Sequence, residues 1–169
     1  MKSRYNPIQT VQEDGYPVMD VGIWAMKKYK LVGHYCNIFT TAMRGKWNLI
    51  YLDLFSGPGH VRLKESNQLI KNSGLIALGL TNKFDHYIFN DWSDSYLEAL
   101  KSRIAPTGLS QICSFYNEDA NSCIEKVLSE RPTFNNGKKN LTFCFLDPFS
   151  LNLSFDTVRF LARENVDIL

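Results

Sequence analysis

The sequence predicts a doubly wound α/β domain, with a mainly parallel sheet and helices on both faces. Three observations lead there. Short apolar, β-branched or aromatic runs alternate with segments of helical periodicity, the pattern of βαβ units. Two of those runs are nearly continuous in hydrophobicity, as expected of strands covered on both faces. Three of the four complete runs finish on or just before an acidic residue, and ligands of open α/β sheets bind beyond the carboxyl ends of the strands.

A chain of 169 residues with 44% hydrophobic and 21% charged side chains has the balance of one ordinary globular domain, which excludes disorder, collagen and coiled coil. No apolar run approaches the roughly 20 residues that span a bilayer, and no apolar segment follows Lys2 and Arg4, so neither membrane insertion nor a signal peptide is expected. The four cysteines, Cys36, Cys113, Cys123 and Cys144, form no C-x-x-C pair, so no zinc or redox site is indicated. Reduced thiols and a cytoplasmic location fit them. Net charge is +2, yet the first 46 residues carry seven basic and three acidic side chains. That small excess reads as a solvated helix face or as a contact to nucleic acid.

Residues 1–23 read as an irregular N-terminal segment, broken by Pro7, Gly15 and Pro17, and residues 24–169 as the domain itself. From Trp24 to Met43 the periodicity is helical, with Trp24, Leu31, Tyr35, Ile38 and Ala42 as its apolar stripe, Lys27, Lys28 and Lys30 mostly off it, and Gly45 closing the helix. Strands are expected at Trp47–Phe55, His86–Asp91, Ile112–Asn117 and Leu141–Asp147, with a fifth starting at Val166. Between them lie a short helix over 73–81 and three capped ones, started by Ser93-Asp94-Ser95, by Asn121 and by Ser154. Residues 131–140 form a polar loop. The last strand stops after Val166-Asp167-Ile168-Leu169, which gives the expectation of a domain truncated at its C-terminus.

The strand ends carry the chemistry. The first runs Asp53-Leu54-Phe55-Ser56-Gly57-Pro58-Gly59, an acid and then two glycines where the backbone can turn tightly and approach a ligand. A phosphate-binding P-loop needs G-x-x-x-x-G-K-[ST], which is absent. The dinucleotide fingerprint needs a third small residue where Arg62 stands, and an acid about 20 residues on, nearer than Asp91. An acid followed by G-x-G remains, an arrangement that suits S-adenosylmethionine, whose amino group is cationic and which has no phosphate. The competing reading is a plain glycine turn capped by Asp53. At the second end, Asp91 can accept both ribose hydroxyls and Trp92 can face the adenine, or Asp91 can simply cap the next helix. At the third, Asp119 can bond the adenine amino group or serve as part of a helix cap. The fourth is Asp147-Pro148-Phe149. Proline fixes the backbone and aims the preceding carboxylate, and the aromatic ring can stack on a planar acceptor. This run is similar to the acidic motif of amino-group methyltransferases and departs from it by a single proline before the aromatic; the competing reading is an ordinary strand-ending turn. A strand order of 3-2-1-4-5 would put the first and fourth ends side by side.

The run Tyr51-Leu52-Asp53-Leu54-Phe55-Ser56-Gly57-Pro58-Gly59, with Ser73-Gly74, Phe89-Asn90-Asp91, Asp119-Ala120-Asn121 and Phe145-Leu146-Asp147-Pro148-Phe149, resembles the three-Cys-motif partner proteins, as do Trp24 with its lysines and Tyr35. The resemblance covers about residues 20–169; Ser150 stands where that family commonly has glycine, and no proline follows Gly74. It implies a Rossmann-like, methyltransferase-type fold, found in prokaryotes and their mobile elements, of which this chain matches the N-terminal part. It also implies S-adenosylmethionine as cofactor, held by Asp53, Phe55, Gly57, Gly59, Asp91, Trp92, Asp119 and Ala120. Asp147, Pro148 and Phe149 would orient an amino group of a nucleobase or similar planar acceptor. Nucleic acid and a three-Cys-motif protein are the implied partners, and no metal is required. The alternatives are a non-catalytic methyltransferase-like interaction module or an inactive gene fragment.

Overall fold

The computed structural model describes residues 5–148 and 153–169. Its elements run β1 (Met19–Val21), α1 (Trp24–Met43), β2 (Asn48–Asp53), β3 (His60–Leu63), β4 (Leu69–Lys71), α2 (Ser73–Leu78), β5 (His86–Asn90), α3 (Asp94–Ile104), β6 (Cys113–Tyr116), α4 (Ala120–Ser129), β7 (Asn140–Phe145), α5 (Phe155–Leu161) and β8 (Val166–Ile168). The main sheet has five parallel strands in the order β6-β5-β2-β7-β8. Taken by their order in the chain, these are strands 3-2-1-4-5, a Rossmann-like arrangement with helices on both faces.

The pleat explains how both faces are filled. Side chains alternate along a strand, so Leu49, Tyr51, Tyr87, Phe89, Phe143 and Phe145 point to one side and join the core under α1, α2 and α3. Ile50, Leu52, Ile88 and Cys144 point to the other, against α4 and α5. Tyr51 is the hub of the first side, with the rings of Phe84, Tyr87, Phe89 and Phe143 all within 6.0 Å of its centroid. No helix among the described residues is long and apolar enough to cross a membrane.

Three expectations need correction. The first concerns the long helix. Its bounds are as expected and Gly45 follows it in a left-handed turn (φ +83°), but the stripe is inverted. Ala25, Tyr29, Val32, Cys36 and Phe39 face the core, while Trp24, Leu31, Ile38 and Ala42 face outward and Tyr35 is half-buried. Both rows have helical spacing; the one that meets the sheet is the one whose shapes fit the aromatic surface of β2 and β7.

The second concerns residues 1–23, which are not wholly irregular. Met19–Val21 pairs parallel with β3, and β3 pairs antiparallel with β4, making a separate three-stranded sheet. Its strands are three or four residues long, too short for an alternation to register in the sequence. The third concerns a cap. Asp119, not Asn121, starts α4, accepting from the backbone N–H of Asn121 and Ser122. The Asn121 carbonyl oxygen instead accepts from Ser154 N and Thr157 Oγ1, tying α4 to α5. Ser93 and Ser154 cap α3 and α5 as expected.

Candidate functional site

The chain leaves β2 at Asp53 and reaches β3 through Leu54-Phe55-Ser56-Gly57-Pro58-Gly59. Gly57 and Gly59 both have positive φ (+60° and +95°), where side chains are strained, and a Cβ on Gly59 would lie 3.1 Å from Leu75 and Leu100 methyls. The turn is pinned almost atom by atom. Ser56 N donates to Asn90 O (2.9 Å), Asn72 Nδ2 to Ser56 O (2.6 Å), Gly57 N to Asp91 Oδ2 (2.7 Å) and Arg103 Nη1 to Pro58 O (2.6 Å). Arg103 also grips both carboxylate oxygens of Asp14 and the Pro17 carbonyl, so the segment before β1 is strapped onto the same turn. Ser56 Oγ is buried with no hydrogen-bond partner among the described residues.

Asp53 lies behind this turn. Pleat alternation puts it on the Leu49–Tyr51 face, fully buried. It accepts from Tyr51 Oη (3.1 Å), Ser73 Oγ (2.8 Å) and Phe55 N (3.2 Å). Burial pushes its carboxyl up to about 7 against the opposing effect of those donors, with the Asp147 charge adding a smaller push upward. Asp53 therefore shapes the strand end from within and does not line the cavity described next. Neither glycine lines the cavity either: Gly57 N–H holds Asp91 in place, and Gly59 packs against α2 and α3.

The cavity, about 480 Å³, opens at the carboxyl ends of β2, β5 and β6. Phe55, Asp91, Trp92, Asp119 and Ala120 line it together, joined by Leu54, Asn90, Ser93, Tyr96, Glu118 and Asn121. Asp91 is held by two backbone donors, Gly57 N on Oδ2 and Ser93 N on Oδ1 (2.9 Å), and burial raises its carboxyl above the usual range against their pull. A carboxylate offers about four acceptor positions, so two remain. Trp92 stands 79% exposed at the rim. Asp119 spends Oδ1 on capping α4 and still lines the wall.

Two residues not singled out in the sequence build this wall. Asn90, buried at the end of β5, donates to Leu54 O (3.0 Å) and Glu118 O (3.1 Å) and accepts from Glu118 N (3.2 Å). It locks the loops after β2 and β6 to its own strand. Asn117 Nδ2 donates to the Asp91 and Trp92 carbonyls (2.8 and 2.9 Å), fixing the loop that carries them. For Asn90 the available signal was an amide at the end of an apolar strand, where burial demands partners for both its N–H and C=O groups; Asn117 is exposed and carried no such signal.

The fourth strand end lies across β2 from the cavity. β7 pairs with β2 so that Phe145 is level with Asp53, and Asp147 follows two residues on. The Asp147 carboxylate pairs with Lys28 of α1, and both side chains are partly exposed. Pro148 is half-buried beside it; Phe149 lies outside the described residues. The Asp147 charge is felt at Asp53 and Tyr29, whose hydroxyl pKa is raised chiefly by burial, so the first and fourth strand ends are electrostatic neighbours. All four cysteines are free.

No protein-family model matches this chain, and no curated protein matches it as a relative.

Proposed function

We propose that the chain is an S-adenosylmethionine-dependent methyltransferase of the three-Cys-motif partner type, acting on an amino group of a nucleobase or similar planar acceptor. One observation carries the reading. The cavity at the sheet's carboxyl edge is lined by the carboxylates of Asp91 and Asp119, by that of Glu118, which is paired with Lys126 of α4, by the rings of Phe55, Trp92 and Tyr96, and, among the described residues, by no lysine or arginine. Such a wall repels phosphate and suits a nucleoside bearing positive charge. Its volume lies within the range of about 300–1,000 Å³ usual for small-molecule sites.

The residues fit the cofactor in distinct ways. Asp91 keeps acceptor positions for two ribose hydroxyls while its other positions hold the glycine turn. The exposed Trp92 ring offers a face to the adenine, and Asp119 an acceptor to its amino group. Asp53 acts at one remove, fixing the backbone of Phe55. When bound, the cofactor's sulfonium supplies an electrophilic methyl group. Asp147 and the Pro148 carbonyl orient an acceptor amine by accepting its hydrogens, which leaves its lone pair free to react. Catalysis is then mainly proximity and orientation.

The test is calorimetric titration with S-adenosylmethionine, its demethylated product and ATP. The first two bind at micromolar concentration and Asp91→Ala weakens both, while ATP does not bind. Tight ATP binding, or no binding of either cofactor form, overturns the reading.

A second reading, a cofactor-binding interaction module without turnover, is favoured by one feature. The amine of Lys28 already occupies the Asp147 carboxylate. Labelled cofactor that binds but transfers no methyl group to amino-bearing nucleobases, nucleosides or nucleic acid supports that alternative.

A further inference from the structure

We propose that the outer face of α1 docks an acidic amphipathic helix of a partner protein. The inner face of α1 is fully used, with Ala25, Tyr29, Val32, Cys36 and Phe39 in the core. On the opposite face Trp24, Leu31 and Ile38 stand 73%, 58% and 66% exposed. They recur every seventh residue, so they form one straight seam with about 10.5 Å between successive side chains. A surface helix normally turns polar residues to solvent, and an apolar seam of this spacing is what a second helix packs against.

Charge selects the partner. α1 contains Lys27, Lys28 and Lys30 and no acidic residue. Lys28 is turned to Asp147. Lys27 lies over the Trp24 ring, its Nζ 4.4 Å from the centroid, and neither Lys27 nor Lys30 has a carboxylate partner among the described residues. Both lysines lie between Trp24 and Leu31 in the helix and, at 100° per residue, on the same side of the seam. A second copy of this chain would set those lysines against each other. Among the described residues a nucleic acid would find two unpaired lysines on this helix for its phosphates, and of the seam only Trp24 offers a planar face, with Lys27 over the ring, while Leu31 and Ile38 offer none. A helix with aliphatic residues at heptad spacing and glutamates beside them satisfies both the seam and the lysines along its side.

Two synthetic helical peptides of about 21 residues, three heptads, test this. Both carry leucine at the heptad seam; one has glutamate at the flanking positions and the other lysine. Binding is read by calorimetry and by Trp24 fluorescence. The glutamate peptide binds at least about 10-fold more tightly than the lysine peptide, a difference of about 1.4 kcal/mol. The double variant Leu31→Gln/Ile38→Gln loses that binding with an unchanged circular dichroism spectrum, since both side chains are mostly exposed. Lys27→Glu/Lys30→Glu reverses the preference. Equal binding of both peptides, binding that survives Leu31→Gln/Ile38→Gln, or no binding of either overturns the proposal. So does a dimer in sedimentation that the same double variant dissolves, which makes a second copy the occupant. Displacement of the glutamate peptide by single-stranded oligothymidylate also overturns it, in favour of nucleic acid.

Discussion

Lys28, one turn into α1, places its ammonium on the carboxylate of Asp147, just beyond the end of β7. The two are 119 positions apart in sequence and meet because α1 begins at the same sheet edge at which the parallel strands end. The pair joins the N-terminal helix to the strand end proposed to orient the acceptor. An incoming amine would make the same contact with Asp147 that Lys28 makes now, so Lys28 competes for that carboxylate.

A partly exposed pair of this kind contributes roughly 0–1 kcal/mol to stability, so Lys28→Gln changes the urea midpoint little. Asp147→Ala likewise leaves fold and cofactor affinity nearly intact, because Asp147 does not line the cavity. On the proposed function it cuts methyl transfer by about 10²–10⁴, whereas Lys28→Gln preserves or raises it by freeing the carboxylate. Parallel turnover and calorimetry measurements separate the two. Cofactor affinity lost equally in Asp147→Ala and Asp91→Ala would move Asp147 into the donor site.

Much of this architecture is legible in the sequence, and the failures have physical causes. Four of the five main strands register because each is an apolar or aromatic run of four to six residues, and β8, only three residues long, shows through its Val166-Asp167-Ile168-Leu169 run. The strands of the small sheet do not, because at three or four residues, with His60, Arg62 and Lys71 among them, they show no apolar run. For α1 the periodicity is present twice, on opposite faces, and only the sheet decides which row is buried. At the site, Asp91, Trp92, Asp119, Phe55 and Ala120 come together because parallel strands deliver their ends to one edge. Asp53 is different: its place in the motif is plain, but the parity of the pleat turns it inward. The Lys28–Asp147 pair was not legible, because nothing in a row of helix lysines says which one reaches a distant strand end.

Asn90 is the residue on which the cavity wall depends most. Replacing it with leucine keeps the volume and strands the Leu54 and Glu118 carbonyls and the Glu118 N–H. Buried groups left unpaired cost about 1–3 kcal/mol each, with part recovered by water reaching the loops. Asn90→Leu therefore lowers unfolding free energy by about 2–4 kcal/mol in urea titration. An effect below about 0.5 kcal/mol would mean that the loops are held by other contacts.

Trp92 behaves in the opposite way. At 79% exposure its ring contributes little to the fold, so Trp92→Ala shifts stability by no more than about 0.5 kcal/mol. If the ring faces the adenine of a bound nucleoside, the same change weakens S-adenosylmethionine by roughly 10-fold, in line with about 1.4 kcal/mol for one aromatic contact. Calorimetry on the folded variant reads this directly, and unchanged affinity would remove Trp92 from the site.

Asp53 gives a pH signature with a definite sign. Burial pushes its carboxyl up to about 7 in the folded protein, from an ordinary value of 3.8. Between these values the folded state holds a proton that the unfolded state has released, so stability falls as pH rises. The contribution is fully present below about 3.8 and is lost by the time pH has passed through about 7. His60 acts in the opposite sense, since burial lowers its imidazole to about 4 and its stabilising effect grows as pH rises from there. The raw pH profile of the wild type therefore mixes two opposing slopes. Comparison with Asp53→Asn isolates one of them, because the amide stays neutral at every pH, keeps an oxygen for Phe55 N, and leaves His60 untouched. The melting temperature of Asp53→Asn should gain on that of the wild type steadily from pH 5 to about 8, by an amount corresponding to a few kcal/mol at about 1.4 kcal/mol per pKa unit, and then level off. A difference that stays flat across this range would mean that Asp53 is ionised throughout, with its three donors outweighing burial.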